Sequence, residues 1–106
     1  MKKYKIVTSI PEKNADMIRR VIGKAGGGKI GNYDFCSFSV KGTGRFRALE
    51  GSSPTIGEID KLNHVEEERI EFACDQDILQ QVIKAIKENH PYEEPIIDIY
   101  VLEDIG

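Results

Sequence analysis

The fold is decided by residues 62–86, LNHVEEERIEFACDQDILQQVIKAI, where a strand pattern gives way to a helix pattern. Residues 62–74 alternate between apolar and charged side chains, which predicts a strand with one face toward a core and one toward solvent. Asp75 then offers a helix cap, and the apolar residues after it recur at helical spacing. The predicted core positions are Ile70, Phe72, Cys74, Ile78, Leu79, Val82, Ile83 and Ile86, and the predicted solvent face of the strand carries Glu67, Arg69 and Glu71.

A similar strand and helix begin the chain. Residues 3–10 alternate and predict the first strand. Pro11 and Glu12 form a helix-start signal, because proline is tolerated in the first turn and an acidic side chain suits the positive end of the helix dipole. The predicted buried stripe of this helix is Ala15, Ile18, Ile22 and Ala25, and consecutive glycines from Gly26 end it.

The second strand is predicted at residues 30–40, IGNYDFCSFSV. The residues predicted to face the core are Cys36, Phe38 and Val40. Tyr33 and Phe35 then lie on the opposite face, away from the helices. Two aromatic side chains there favour a second cover, and an oligomer interface is its simplest source.

Two further segments complete the topology. Residues 41–57 are rich in Gly and Ser and are predicted to form a long loop with a short strand around Arg45–Arg47. Residues 96–102, IIDIYVL, are apolar on both faces, which is typical of a central strand or of one that a partner covers. The order β-α-β-β-α-β within residues 1–106 predicts a single α+β domain with the ferredoxin-like two-layer arrangement and both helices on one face.

Composition and spacing argue against several functions. Fifteen basic and eighteen acidic residues give a net charge of -3, which argues against general nucleic-acid binding. No apolar run reaches the roughly 18 residues of a membrane span, and Met1–Tyr4 lacks a signal-peptide core, so we predict a cytoplasmic protein without membrane contact. The glycines at 26–28 follow a helix, the wrong context for a nucleotide phosphate loop, and no cofactor is expected. Cys36 and Cys74 lack metal-type spacing and are predicted to be buried free thiols.

Candidate functional residues concentrate in residues 90–95, HPYEEP, between the second helix and the last strand. His90 is suited to metal binding or proton transfer near neutral pH, and Glu93 and Glu94 are candidate ligands or acid–base groups. The alternative is a structural corner, in which the first proline stops the helix, Tyr92 packs beneath the turn and both glutamates are solvated.

Residues 42–47, GTGRFR, are the second candidate. Gly42 and Gly44 permit close backbone approach to a ligand, and Arg45 is suited to pairing with a carboxylate or phosphate. The alternative is a glycine-kinked strand with solvated arginines. The other histidine, His64, precedes three glutamates, and a solvated strand end explains that cluster better than a metal site.

A family resemblance rests on three segments together: IGNYDFCSFSVKGTGRFRALEGSSPTIG (30–57), HVEEERIEF (64–72) and HPYEEPIIDIY (90–100). They resemble the inserted middle domain of YqfO-type proteins, the family named for interaction with the Ngg-one factor. That domain is similar to the PII and CutA group of trimeric ferredoxin-like proteins, and CutA proteins carry a similar HPYE turn. The resemblance implies a stand-alone version of the insert that forms a trimer.

The same resemblance limits the functions to be expected. The family's two-metal site is built from the flanking domain, whose histidines and carboxylates are absent from this chain, so it implies no metal-hydrolase activity. The PII comparison places residues 41–57 at the position of a signalling loop. That loop has no tyrosine, the residue that nucleotidylated PII proteins use.

Two hypotheses follow. The first is a non-enzymatic, self-associating binding or regulatory module, expected to be a homotrimer, that meets a small ligand or protein partner in a cleft between subunits. The cleft is predicted to be lined by His90, Tyr92, Glu94, Gly42, Gly44 and Arg45. The second is a divalent-metal or copper-binding protein of the CutA type that uses His90 with Glu93 or Glu94, joined by Cys36 or His64 from another subunit. No catalytic residue is predicted, because two histidines offer no assignable base and orienting partner.

Overall fold

The structure, a computed structural model, describes residues 2–104. The elements in chain order are β1 (Lys3–Pro11), α1 (Ala15–Lys24), β2 (Phe38–Arg47), β3 (Leu62–Asp75), α2 (Leu79–Asn89) and β4 (Ile97–Leu102). A turn of 3-10 helix precedes each α-helix, at Glu12–Asn14 and Gln76–Ile78. This order confirms the predicted ferredoxin-like fold.

The strands form one antiparallel sheet in the order β2-β3-β1-β4. Lys3 pairs with Asp75 on one side and with Leu102 on the other. Strand β4 therefore lies at an edge of the sheet, and the interpretation of residues 96–102 as a central strand is wrong. No helix within residues 2–104 is long and apolar enough to cross a membrane.

One hydrophobic core lies between the sheet and both helices. Each fully buried aliphatic or aromatic side chain in such a core stabilises the fold by about 1.5–3 kcal/mol relative to exposure. The predicted positions Ile70, Phe72 and Cys74 of β3 are buried there, as are Ile6 and Ile10 of β1. The helices contribute Ala15, Ile18, Ile22, Val82 and Ile86, which confirms the central part of both predicted stripes.

The two cysteines are free, as predicted, but they differ in burial. Cys74 is buried, and burial together with Asp75 and Asp77 raises the pKa of its thiol to about 11. That thiol is protonated and unreactive at neutral pH. Cys36 is half-buried in the segment before β2.

Strand β2 starts later than predicted and presents its other face to the core. Phe38 pairs with Glu71 and Val40 with Arg69, and paired residues share a face of the sheet. Both apolar side chains therefore point away from the helices, where they are 64% and 45% exposed. The prediction that they face the core is wrong, because the register of β2 turns Ser39 toward the helices in their place. Arg19 Nη1 of α1 donates to Ser39 Oγ at 3.0 Å.

Residues 29–37 form an irregular segment instead of strand. Ile30 and Tyr33 exchange backbone hydrogen bonds of 2.8 and 2.9 Å, which turn the chain back on itself. Phe35 has a positive φ of 57° and its ring packs against Gly23 of α1, where a Cβ atom would approach within 2.1 Å. Phe35 therefore contacts helix α1. The prediction that it lies on the sheet face away from the helices is wrong.

The predicted cap at Asp75 is correct in position only, because Asp75 is the N-cap residue of the 3-10 turn Gln76–Ile78 that leads into α2. Asp75 is the last residue of β3, its side chain makes no cap hydrogen bond, and α2 begins only at Leu79. The Asp75 carboxylate instead lies 3.6 Å from Lys3 Nζ on the neighbouring strand.

Candidate functional site

The HPYEEP turn is fixed to the end of β1 by the ring of His90. His90 Nε2 lies 2.8 Å from the carbonyl oxygen of Ser9, and the amide of Tyr92 donates to Nδ1 at 3.1 Å. Since a carbonyl accepts and an amide N–H donates, the ring is the neutral tautomer with its proton on Nε2. Burial lowers the pKa of His90, against smaller opposing effects of the Ser9 hydrogen bond and of Glu67. The imidazole thus acts as a neutral bridge between two backbone groups.

Within the described residues, the side chains of this turn are not arranged as a metal-binding site. Both ring nitrogens of His90 have backbone partners, and the Glu93 carboxylate accepts a hydrogen bond from the amide of Ser53 at 2.9 Å. Residues 2–104 contain no group of three or more His, Cys, Asp or Glu side chains placed to hold a metal ion. His90, Glu93 and Glu94 thus form no such group within one chain. The predicted site, which joins His90 and one of these glutamates to Cys36 or His64 of another subunit, stays a prediction.

Tyr92 joins the turn to the middle of β3. Its hydroxyl donates to Glu67 Oε2 at 2.5 Å, and its ring lies 5.0 Å from that of His90 at an angle of 47°. Burial, then the hydrogen bond and charge of Glu67, raises the pKa of Tyr92 far above its usual range. The phenol therefore stays protonated and serves as a permanent donor to the carboxylate.

Glu67 also lies next to the GTGRFR stretch of β2. Gly42 is its partner across the strands, and a Cβ atom built on Gly44 would lie 2.1 Å from Glu67 Oε1. Gly44 thus provides the space in which the carboxylate bends toward Tyr92. We name the four residues His90, Tyr92, Glu67 and Gly44 the corner cluster.

Sequence reasoning missed Glu67, which it assigned to a solvated strand face. The signal that identifies it is the register of β2 against β3, because only the register shows which carboxylate lies beside a glycine. The alternation of the sequence contains no such information.

Two predicted site residues lie apart from the corner cluster. Arg45 is exposed and pairs across the strands with His64, on the face opposite that of Gly44 because successive strand residues alternate. Glu94 is exposed and forms no hydrogen bond or ion pair with other residues of the described part of the chain. The structure therefore brings together His90, Tyr92, Gly42 and Gly44, and leaves Arg45 and Glu94 outside.

A shallow groove of about 220 Å³ adjoins the cluster. It is lined by Ser9, Val40, Lys41, Gly42, Thr43, Glu67 and Arg69. Two of its charges are already paired, Lys41 with Glu12 at 3.1 Å and Arg69 with Glu71 at 3.2 Å. The groove is shallow and open, which suits contact with a second surface better than enclosure of a small molecule.

Relatives of known sequence match nearly the whole chain. A GTP cyclohydrolase 1 type 2 homolog of Halalkalibacterium halodurans is 43% identical over 103 residues, which are 97% of this chain and 28% of that protein. A homolog of the same name from Mycobacterium tuberculosis is 41% identical over 98 residues. The crystal structure of a Bacillus cereus protein related to NIF3 superposes with a TM-score of 0.85 at 40% identity, covering 97% of this chain and 26% of that one. The matched proteins belong to the NIF3/YqfO family, and the match is consistent with this chain resembling their CutA-like insert domain.

The chain spans about a quarter of the length of the relatives it matches. Its fold recurs in smaller proteins. CutA1 of Oryza sativa superposes with a TM-score of 0.70 at 14% identity, covering 100% of this chain and 84% of that one. CutA1 of Pyrococcus horikoshii gives 0.70 at 18% identity. At such identities the likeness shows the fold alone. No family model matches the chain.

Proposed function

We propose that this chain is a non-enzymatic binding or regulatory module that works as a homotrimer and meets a small ligand or protein partner at the corner cluster. The exposed apolar face of the sheet carries this proposal. The name of the longer relatives refers to proteins of which this chain spans about a quarter, so we do not extend a cyclohydrolase activity to it. The cytoplasmic location, and the absence of nucleic-acid, membrane and cofactor binding, stay predictions from the sequence.

The face of the sheet away from the helices is apolar at both edges. Phe38 and Val40 of β2 lie at one edge, and Tyr100 and Leu102 of β4 at the other, all exposed. On the opposite face of β4, Ile99 and Val101 are exposed as well. A surface of this kind is typical of a protein interface, since isolated monomers keep such patches small.

Both outer strands also have free hydrogen-bonding edges. Within residues 2–104, β2 pairs only with β3 and β4 only with β1. Exposed edge strands with apolar side chains readily pair with another chain. A second copy of the domain supplies complementary edges and faces, and the resemblance to the trimeric PII and CutA group supports three copies.

Such an assembly gives the separated site residues a role. Arg45 points away from the corner cluster of its own chain, so its guanidinium is free to reach a ligand held at the border with a neighbouring copy. In this proposal Tyr92 forms a wall, Glu94 offers an exposed carboxylate and His90 keeps the turn rigid. The neutral, doubly hydrogen-bonded ring of His90 leaves no free base for catalysis, which supports a binding role.

The test is the mass of the particle in solution. Sedimentation at micromolar concentration should give three times the monomer mass for the unaltered chain and a monomer for Tyr100→Glu. Gln80→Glu is the matched control, because it adds the same charge at an exposed position of α2 on the helical side. A wild-type monomer would end the proposal, and so would an equal loss of assembly in both variants.

A further inference from the structure

The two ends of the loop between β2 and β3 are bonded to each other, and we call this place the neck of the loop. Ala48 and Ile59 form a parallel bridge, and the amide of Asp60 donates to the carbonyl of Ala48 at 2.7 Å. Arg47 and Asp60 add an ion pair of 3.0 Å on the outside. Asn63 holds the far side of the neck through Nδ2, which donates to the carbonyls of Glu58 and Lys61 at 3.2 and 2.8 Å. The two ends of the loop are therefore fixed relative to each other.

Glycines at both sides of the loop tip take conformations that other residues rarely adopt. Gly51 has a φ of 97° and Gly57 a φ of 89°. Nothing lies within 4 Å of a Cβ atom built on Gly51, so its left-handed conformation is set by the backbone path and not by crowding. Residues 51–57 thus form a short segment between two glycines, above a fixed neck.

This segment is joined to the HPYEEP turn by hydrogen bonds at its Ser53 and Thr55. Within residues 2–104, two hydrogen bonds join them: the Ser53 amide to Glu93 Oε1 at 2.9 Å, and the Thr55 hydroxyl to the Pro91 carbonyl at 2.7 Å. Both bonds lie in solvent, where a hydrogen bond contributes little net stability. Their acceptors, Pro91 and Glu93, stand on either side of Tyr92 in the corner cluster.

We infer that residues 51–57 form a lid over the HPYEEP turn, held shut by Glu93 and Pro91 and moving about Gly51 and Gly57. When the lid opens, the Glu93 carboxylate and the Pro91 carbonyl become free acceptors on both sides of Tyr92. A ligand or partner that approaches from this side must offer donors of its own in place of the Ser53 amide and the Thr55 hydroxyl. The gating role rests on the proposed function, whereas the lid motion does not depend on it.

Hydrogen–deuterium exchange of the peptide that contains Ser53 measures the lid directly. Removal of one hydrogen bond should raise the open population, and hence the exchange rate of the Ser53 amide, about twofold. Two variants remove one bond each, Glu93→Ala and Thr55→Val. Their matched controls are Glu94→Ala, one residue away and without a partner in the described chain, and Thr43→Val, whose hydroxyl contacts Glu66 on the hairpin.

The expected result is faster lid exchange in both test variants and an unchanged rate in both controls, with β1 and β3 equally protected throughout. An unchanged rate in Glu93→Ala and Thr55→Val would overturn the inference, as would equal acceleration by Glu94→Ala. Exchange at the rate of an unstructured peptide in the unaltered chain would overturn it as well. Sedimentation of the same samples reports on assembly separately, so failure of the trimer and failure of the lid are distinguishable.

Discussion

The two faces of the sheet differ in burial although the sequence alternates in the same way on both. On the helical face, Phe72 of β3 is fully enclosed by residues from both helices and β1. On the other face, Phe38 of β2 has a similar sequence setting, an aromatic residue between small or polar neighbours, and is exposed. Apolar alternation therefore identifies an apolar face of a strand, but it does not say whether the chain itself buries that face.

The largest expected effect separates these two phenylalanines. Phe72→Ala should lower the free energy of unfolding by about 3–5 kcal/mol, because it opens a cavity in a packed core. Phe38→Ala should change it by less than about 0.5 kcal/mol in the monomer and weaken self-association instead. Urea unfolding under conditions where both variants sediment as monomers checks the comparison. Equal losses for the two would mean that the monomer itself covers the open face.

A smaller effect on the free energy of unfolding is expected at the hydrogen bond between Tyr92 of the HPYEEP turn and Glu67 on the open face. In Gly44→Ala the new methyl group must displace the Glu67 carboxylate and break its bond with Tyr92, at a cost of about 1–2 kcal/mol. Gly42→Ala is the control, because nothing lies within 4 Å of a Cβ atom there.

A double-mutant cycle sharpens the same test. If the loss in Gly44→Ala comes from the Tyr92–Glu67 bond, it should shrink by about 1 kcal/mol in a Tyr92→Phe background. Full additivity of the two substitutions would show that Gly44 matters for strand geometry alone.

The smallest effect expected is a pH dependence of stability from His90. Its pKa is lowered in the folded state, mainly by burial, so the unfolded chain binds the proton more tightly. The contribution is complete above the unfolded pKa of about 6.5 and is lost as pH falls toward and through the folded value. Urea midpoints measured between about pH 7.5 and pH 5 should fall more steeply for the unaltered chain than for His90→Gln.

His64→Gln provides the comparison for that slope. His64 is exposed near the start of β3, so its replacement removes the same kind of side chain without touching the buried turn. If His64→Gln flattens the curve and His90→Gln does not, the buried imidazole is not the group that senses pH.

The sequence predicts the covered half of the molecule better than the open half. Strand β3, helix α2 and their core residues are predicted correctly, because long periodic apolar patterns end at residues that stop an element, such as the proline after His90. The start and the orientation of strand β2 are not predicted correctly, since the glycines before residue 29 and the mixed segment after it show no periodic pattern of apolar residues. The side to which Phe38 points is decided by its pairing with Glu71, which lies 33 positions along the chain.

The candidate site shows the same limit. His90 and Tyr92 stand out because they sit between prolines, and Gly42 and Gly44 because they interrupt a strand. Glu67 looks like one of several solvated glutamates until β2 and β3 are aligned. Arg45 looks like part of the same group as Gly44, but strand alternation turns it to the other face.

The pairing of Lys3 with Leu102 bears on how this domain is attached to other sequence. The first and last strands run side by side, so a host polypeptide is able to lead into one and out of the other through two adjacent connections, with no rearrangement of the fold between them. Strand β1 then separates those connections from Pro11 by about 26 Å, at about 3.3 Å per residue. The corner cluster and the lid thus lie at the end of the sheet remote from any such attachment.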